Sequence, residues 1–469
     1  MKYVNEKLQE FENYIKYKKV AIIGLGISNI PLIDYLYNLG SDVVIFNNKP
    51  VDELEKDVLD KIYEYKLKFY FGENYLSKLN GFDIIFRSPS CRPDLPEIEK
   101  EVERGAILTS EIELVLEMCP GRTIGITGSD GKSTTATLIY EMLKEQDLNC
   151  YLGGNIGTPL FTKIKEMKPE DYIVLELSSF QLMTMTVSPD IAVITNISPN
   201  HLDVHKSYEE YIGAKANIFK YQTEDNLLVL NYENEITREF AKNAKAKVIY
   251  YSSKTRLDNG IILDNNIIKQ CENGLRRHIV NLKNTNLKGI HNAENICAAI
   301  SATDGIVKPE IQSKIATEFP GVEHRLEFVK ETKGIKWYND SIASTPTRTI
   351  AGLNSFNENI VLIAGGYDKN LDYSGLAKPI IDNVDSLILL GQTTNKIYNA
   401  VINESQYLKK ELPIYKVNTL DEAVEKAKEI SKKDDVILFS PASASFDMFK
   451  NFEERGKRFK QIVNNLFNE

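Results

Sequence analysis

No run of about eighteen or more apolar residues occurs in this 469-residue chain, so no transmembrane helix is expected. The opening residues, MKYVNEKLQEFENY, mix charges and lack the apolar block of a secretory signal. Cysteine is scarce. Cys91, Cys119, Cys150, Cys271 and Cys297 are odd in number and scattered without metal-ligand spacing, which points to reduced thiols in a cytoplasmic protein over disulfides or zinc. No long basic run is present and the formal charge is −9, so nucleic acid is not an expected partner. Local loops can still supply the positive field that an anionic nucleotide needs. Low-complexity tracts and short-period repeats are also missing. What remains is ordinary globular composition, 42% hydrophobic and 26% charged, in a chain long enough for roughly two to four domains.

Short apolar runs alternate with helical patterns from the start. Residues 20–23 read as a buried strand, Gly24-Leu-Gly-Ile-Ser28 as a tight turn, Leu32, Leu36 and Leu39 as one helix face, and 42–46 as a returning strand. Strand, helix, strand predicts a parallel βαβ unit, and 82–86 adds a strand ending at Arg87-Ser88-Pro89. A second series opens with a strand at 123–127, a loop, and a helix over 132–146 with Ala136, Ile139 and Leu143 inward. Further strands are expected at 172–177, 191–195 and 227–230, with a hairpin in 261–268 turning at Asn265-Asn266. Beyond a linker at Phe319-Pro320-Gly321, strands are expected at 360–364, 386–390 and 436–439. The pattern predicts three α/β domains, 1–110, 111–321 and 322–469.

The segment Gly128-Ser129-Asp130-Gly131-Lys132-Ser133, between a strand and a helix, is a shortened phosphate loop. Its backbone N–H groups and the positive end of the helix can cradle phosphate oxygens. Lys132 can reach the terminal phosphates and the Ser133 hydroxyl can coordinate Mg²⁺; strict Walker spacing would want glycine where Ile126 stands. The alternative is a plain turn before a helix. Glu176, at the end of an apolar strand, can bind Mg²⁺ or be a solvated strand end. His201 lies in Thr195-Asn196-Ile-Ser-Pro-Asn200-His201-Leu-Asp203, at the carboxyl edge where α/β proteins bind ligands. A neutral imidazole there can ligate a divalent ion, and a lone loop histidine can equally do nothing. Lys215 sits in the largely apolar stretch 211–219, where a lysine either snorkels to water or is desolvated; composition favours snorkelling.

Gly24-x-Gly26 is half a dinucleotide fingerprint. Asn29 takes the third glycine place and Asn47-Asn48 end the second strand without an acid, which disfavours NAD but leaves the turn able to hold a phosphate-bearing nucleotide. Four segments flank strands of the last domain: His324-Arg325, Asn339-Asp340-Ser341, Gly365-Gly-Tyr-Asp-Lys369 and Ser440-Pro-Ala-Ser-Ala-Ser445. Each can be a turn. Together they suit a small anionic substrate.

Taken in order, these segments with Gly153-Gly-Asn-Ile-Gly157, Glu176-Leu-Ser-Ser-Phe-Gln-Leu182 and Gly289-Ile-His-Asn-Ala-Glu-Asn295 resemble the Mur ligase family, over almost the whole chain. The segment Ser440–Phe452, running into Glu453-Glu-Arg-Gly456, is most similar to the D-glutamate-adding branch. The resemblance implies a Rossmann-like N-terminal domain, a P-loop ATPase-like central domain and a Rossmann-like C-terminal domain. It implies a monomeric ligase of peptidoglycan precursor synthesis using ATP and two Mg²⁺ ions, with UDP-N-acetylmuramoyl-L-alanine and D-glutamate as substrates and an acyl-phosphate between them.

By the same resemblance, Gly24, Gly26, Ser28, Asn47, Asn48, Ser88 and Asn155 would hold the uridine nucleotide. Gly128, Ser129, Asp130, Gly131, Lys132, Ser133, Thr134, Asn292, Asn295, Arg325 and Asp340 would bind ATP. Ser133, Glu176, His201 and a carbamylated Lys215 would serve the metals, with Lys132, Glu176, His201 and Lys215 as the catalytic set. Ser344, Lys369, Ser445 and Phe452 would take D-glutamate. Three residues depart from the family pattern: Asp130 stands for the usual Asn, Ile342 for a lysine of many relatives, and Asn47 for an acid. Sister ligases adding L-alanine or a diamino acid, or folylpolyglutamate synthase, are the nearest rivals; the Asp-Asn-Pro-Arg signature of the diamino-acid branch is missing. A regulatory ATP-binding module without chemistry is the other, and the intact Lys132, Glu176, His201 and Lys215 set argues against it.

Overall fold

The computed structural model describes residues 3–199, 204–287, 289–408 and 412–466. The chain forms two compact units, one of Met1–Asn281 with His291–Ala316 and one of Leu282–Ile290 with Thr317–Glu469.

The first unit contains two sheets. Strands β1 (Lys19–Ile23), β2 (Asp42–Asn47), β3 (Lys68–Phe71), β4 (Ile84–Arg87) and β5 (Ile107–Thr109) pair in parallel in the order β3-β2-β1-β4-β5. The strand order reverses between β1 and β4, and at such a switch point a crevice opens past the carboxyl ends. Central strands of this kind are covered on both faces, so they read as unbroken apolar runs; Val20–Ile23 and Val43–Asn47 are buried throughout. The edge strands β3 and β5 are only partly buried, and this blurred pattern is why the sequence reading passed over them.

The second sheet comprises β6 (Arg122–Thr127), β7 (Cys150–Gly154), β8 (Tyr172–Glu176), β9 (Ile191–Ile194), β10 (Leu227–Asn231), β11 (Lys247–Ser252), β12 (Gly260–Asp264), β13 (Ile267–Glu272) and β14 (Leu275–Asn281). Its order is β14-β13-β12-β11-β10-β9-β6-β8-β7, parallel except for the β12-β13-β14 meander. The expected hairpin turn is present, with Asn265 and Asn266 at φ +50° and +62°. Two consecutive positive φ values match the twist of a two-residue hairpin, and asparagine tolerates them. Helix Lys132–Glu145 buries Ala136, Ile139 and Leu143, the face expected from their spacing. Between the sheets Phe161 is buried with the rings of Phe11 and Tyr35 edge-on at 5.8 and 5.0 Å, a contact worth roughly 2–3 kcal/mol in apolar burial.

The second unit holds β15 (Glu327–Thr332), β16 (Ile335–Asn339), β17 (Ile360–Ala364), β18 (Val384–Leu389), β19 (Ile414–Lys416) and β20 (Val436–Phe439), in the order β15-β16-β20-β17-β18-β19 with only β15 antiparallel. The carboxyl ends of β16, β20 and β17 are therefore neighbours. No helix among the described residues is long and apolar enough to cross a membrane.

Candidate active site

Strand β6 lies between β8 and β9, so the chain leaves its sheet at Gly128 beside Glu176 on one flank and Thr195 on the other. The loop that follows is tied down by the β9 end. Ser129 N donates to Asn196 O at 2.8 Å, Asp130 N to Asn196 Oδ1 at 3.1 Å, and Thr195 Oγ1 to Asp130 O at 2.5 Å. Two glycines permit this closeness. Gly128 has φ +148° and a Cβ there would overlap Thr195 Oγ1; Gly131 has φ +79° and a Cβ would overlap Asn295 Oδ1. Only glycine combines that backbone with that approach. Lys132 opens the following helix and folds its Nζ over the loop, donating to Gly128 O and Ser129 O, both at 3.0 Å. Ser133 and Thr134 follow in its first turn.

Lys215, on helix Tyr208–Lys220, is buried and does not snorkel. This overturns the reading that composition favoured and agrees with the one the resemblance implied. Its Nζ donates to Gly128 O at 2.7 Å and Thr127 Oγ1 at 3.2 Å, 4.8 Å from the centre of the Tyr211 ring. Burial, reinforced by the charge of Lys132, pushes the amine well below the ordinary lysine range, against the pull of Glu176 and Asp130. Tyr211, unnoticed in the sequence, joins the same cluster through a 2.8 Å hydrogen bond with Ser129 Oγ. Glu176 is buried as well. Its Oε1 accepts from Asn155 Nδ2 at 2.9 Å, while Oε2 is buried with no hydrogen-bond partner among the described residues. An open carboxylate oxygen beside a phosphate loop fits a cation. Among the described residues no three His, Cys, Asp or Glu side chains gather as a metal cluster, and Mg²⁺ needs none when hydroxyl, water and phosphate oxygens complete its shell. Asn292 and Asn295 lie buried on helix Ile290–Thr303, joined by a 3.3 Å hydrogen bond from Asn295 Nδ2. His201 lies outside the described residues.

At the first sheet, Gly24 turns the chain with φ +86°, its N–H donating to Phe46 O at 2.8 Å, and a Cβ would overlap Ser88 Oγ. The β1, β2 and β4 ends therefore bring Gly24, Asn47 and Ser88 together. Asn47 Oδ1 accepts from Leu25 N at 3.2 Å, and its buried Nδ2 has no hydrogen-bond partner among the described residues. Gly26 and Asn48 are exposed and Ser28 half-buried. Asn29 buries its amide beneath the turn, donating to Ile23 O at 3.2 Å and Gly24 O at 2.9 Å, so asparagine at the third glycine place has a structural cause. Arg87, also missed, is buried and donates to Cys91 O at 2.6 Å and Phe180 O at 2.8 Å.

In the second unit, β16 ends at Asn339, whose Nδ2 meets His324 Nδ1 at 2.9 Å and Glu327 Oε2 at 3.0 Å. Burial lowers the His324 pKa, consistent with a ring nitrogen accepting here. Asp340 is buried. Its Oδ2 accepts from Ser440 Oγ at 2.7 Å and its Oδ1 from Leu326 N at 3.2 Å. The Gly365-Gly366 turn binds back to the Ser440–Phe452 loop: Tyr367 N donates to Ala444 O at 2.9 Å, and exposed Lys369 stands 5.3 Å over the Phe446 ring. Ser445 is buried and Phe452 starts helix Phe452–Asn465. Ser344 is half-buried on the loop after Asp340.

Residues 126–303 match the family model described as the Mur ligase middle domain, and residues 324–443 that of the Mur ligase, glutamate ligase domain. The UDP-N-acetylmuramoylalanine–D-glutamate ligase of Acetivibrio thermocellus is 52% identical over 466 residues, 99% of this chain and 100% of that protein. Its counterpart from Clostridium botulinum strain Kyoto is 50% identical over 463 residues, again 99% and 100%. Among solved structures, UDP-N-acetylmuramate-alanine ligase MurC of Thermotoga maritima has a TM-score of 0.57 at 21% identity, covering 96% of this chain and 100% of that one. MurF of Acinetobacter baumannii has 0.57 at 14%, covering 98% and 92%; at these identities the likeness concerns the fold. With half of its residues shared along its whole length with such a relative, the chain belongs to the Mur ligase family.

Proposed function

We propose that the chain is a cytoplasmic, monomeric ligase that uses ATP to join D-glutamate to UDP-N-acetylmuramoyl-L-alanine. The observation that carries this reading is the full-length likeness to relatives named for that reaction. Three domains divide the work in it: 1–110 for the uridine nucleotide, 111–321 for ATP and 322–469 for the amino acid.

The substrate carboxylate attacks the γ-phosphate, giving an acyl-phosphate; the D-glutamate amine then attacks that carbonyl, and the tetrahedral intermediate collapses with loss of phosphate. No side-chain nucleophile is needed, so the residues act by positioning and charge. The N–H groups of Gly128 to Thr134 cradle phosphate oxygens, and Lys132 exchanges its two carbonyl partners for them. Ser133, Glu176, His201 and a carbamylated Lys215 would hold Mg²⁺ in two sites, which would supply positive charge to the transferring phosphoryl group. The open Oε2 of Glu176 and the burial that lowers the pKa of the Lys215 amine support this assignment. A neutral amine can add CO₂, losing one proton as the carbamate forms, whereas an ammonium has no lone pair to offer. Asn155 orients Glu176 while reaching the nucleotide substrate. Asn292, Asn295, Arg325 and Asp340 bind ATP. Gly24, Gly26, Ser28, Asn47, Asn48 and Ser88 hold the uridine diphosphate end. Ser344, Lys369, Ser445 and Phe452 take D-glutamate, with Lys369 pairing one carboxylate.

The test is phosphate release from ATP in the presence of UDP-N-acetylmuramoyl-L-alanine, with D-glutamate, L-alanine, L-lysine or meso-diaminopimelate offered in turn. Release with D-glutamate alone is expected. Release only with another amino acid would move the chain to a sister activity, and release with none would remove the ligase reading.

A further inference from the structure

Three loops of the second unit converge on one buried cation. Arg455 is 3% exposed on helix Phe452–Asn465, on the stripe that also buries Phe459 and Ile462. Among the described residues its guanidinium donates only to neutral acceptors: Nε to Ser341 Oγ at 3.1 Å, Nη2 to Ser341 O at 2.8 Å, and Nη1 to Ser443 O at 3.0 Å and Ala444 O at 2.8 Å. Asp447 acts on it through space, without a hydrogen bond among these. Burial lowers the group to about 10, so it remains a cation at neutral pH. A buried charge hydrogen-bonded to carbonyls and a hydroxyl, with no carboxylate in direct contact among these bonds, is an expensive way to staple two loops. The third loop lies directly against it, since a Cβ on Gly366 would come within 3.1 Å of Nη1. Ser344, Ser445 and Lys369 sit on these same three loops, and Phe452 opens the helix that carries Arg455. Ile342, in the first of them, offers no charge.

Resting on the ligase reading above, we propose that Arg455 is a positioning residue of the amino-acid site, registering its three loops and supplying from beneath the positive field that favours a dicarboxylic amino acid. The field acts through the protein without contact, so it survives a change of hydrogen-bond geometry but not removal of the charge.

The full-length enzyme is assayed by phosphate release with D-glutamate and with D-glutamine, its neutral isostere, at saturating ATP and uridine substrate. Wild-type release with D-glutamate is the control for the ligase reading, and its absence removes both readings. Arg455→Met should raise the D-glutamate KM about tenfold or more and cut the D-glutamate preference over D-glutamine about tenfold, as loss of a nearby low-dielectric charge predicts. The ATP KM should change less than about threefold, because uniform damage to the fold would move both. Arg455→Lys should restore the preference while leaving the D-glutamate KM raised, because its single ammonium cannot span both loops. Ser341→Ala removes one acceptor and leaves the charge, so it should raise that KM severalfold with the preference intact. Circular dichroism reports folding; if Arg455→Met does not fold, Arg455→Lys and Ser341→Ala decide. ATP and D-glutamate KM rising together, an unchanged preference in Arg455→Met or a lost one in Arg455→Lys, or wild-type kinetics in Ser341→Ala would overturn the proposal.

Discussion

Asp340 offers a test in which stability and activity move in opposite directions. Its carboxyl is fully buried, and burial pushes its pKa from 3.8 up to about 7, with the Ser440 hydroxyl, the Leu326 N–H and Arg325 drawing it only partly back. The unfolded chain releases this proton near the ordinary value, whereas the fold keeps it to about 7. Between those values the folded state binds more protons, so the group is neutral to stability below about pH 3.8, costs progressively more as pH rises, and costs a constant amount above 7. A gap of about three pH units at about 1.4 kcal/mol each gives a cost of about 4 kcal/mol at mildly alkaline pH. Asp340→Asn removes the charge and can keep the bonds. Its Oδ1 still accepts from Leu326 N, while its amide can donate to Ser440 Oγ, whose single proton is then free to turn to Thr349 Oγ1, 2.9 Å away. Urea unfolding should therefore show the variant more stable by about 2–4 kcal/mol near pH 8 and by no more than about 1 kcal/mol near pH 4.5. Turnover should fall, because the proposed ATP contact loses its carboxylate. Two parallel stability–pH curves, or a variant less stable near pH 8, would refute the reasoning.

Three other expectations concern the proposed site. Lys215→Ala should abolish turnover, with partial recovery in added short carboxylic acids; full activity without them would remove the carbamate role. Lys369→Ala should raise the D-glutamate KM far more than the ATP KM in steady-state assays, and equal effects would sink that assignment. Gly131→Ala forces a side chain into φ +79° against Asn295 Oδ1, a backbone cost of about 1–2 kcal/mol before any clash. Calorimetric titration with a non-hydrolysable ATP analogue should show binding weakened about tenfold or more, and unchanged affinity would contradict the loop's part in holding phosphate.

The central strands and the helix after the phosphate loop were legible because burial on both faces leaves an unbroken apolar run, as in Ile191–Ile194 and Ile360–Ala364. Edge strands were not. β14, at a sheet edge, exposes its first four residues, and β16, one strand in from the edge, carries Lys336 between Ile335 and Trp337, so neither shows a clean run or alternation. Loop chemistry was legible where the backbone itself demands a residue: Gly128 and Gly131 are glycine because Thr195 and Asn295 close on them, a constraint visible as a motif.

Lys215 and Arg455 mark where local reading ends. Both are charged residues on amphipathic helices, and on composition both belong at the surface. The fold inverts this by stacking each helix against strand ends rich in carbonyl oxygens, Gly128 O for one, Ser443 O and Ala444 O for the other. Acceptors at a strand's carboxyl edge are supplied by backbone, so their presence leaves no trace in residue type. The one trace is register: Arg455 falls four residues before Phe459 and seven before Ile462, on the buried stripe, and Lys215 falls four after Tyr211 and three before Ile218. A charge on an apolar stripe is the signal, and it states that the charge is buried without stating what it faces. The two helices give opposite chemical answers because lysine can surrender its proton on burial and arginine retains it, which suits the carbamate proposed for one and the attracting charge proposed for the other.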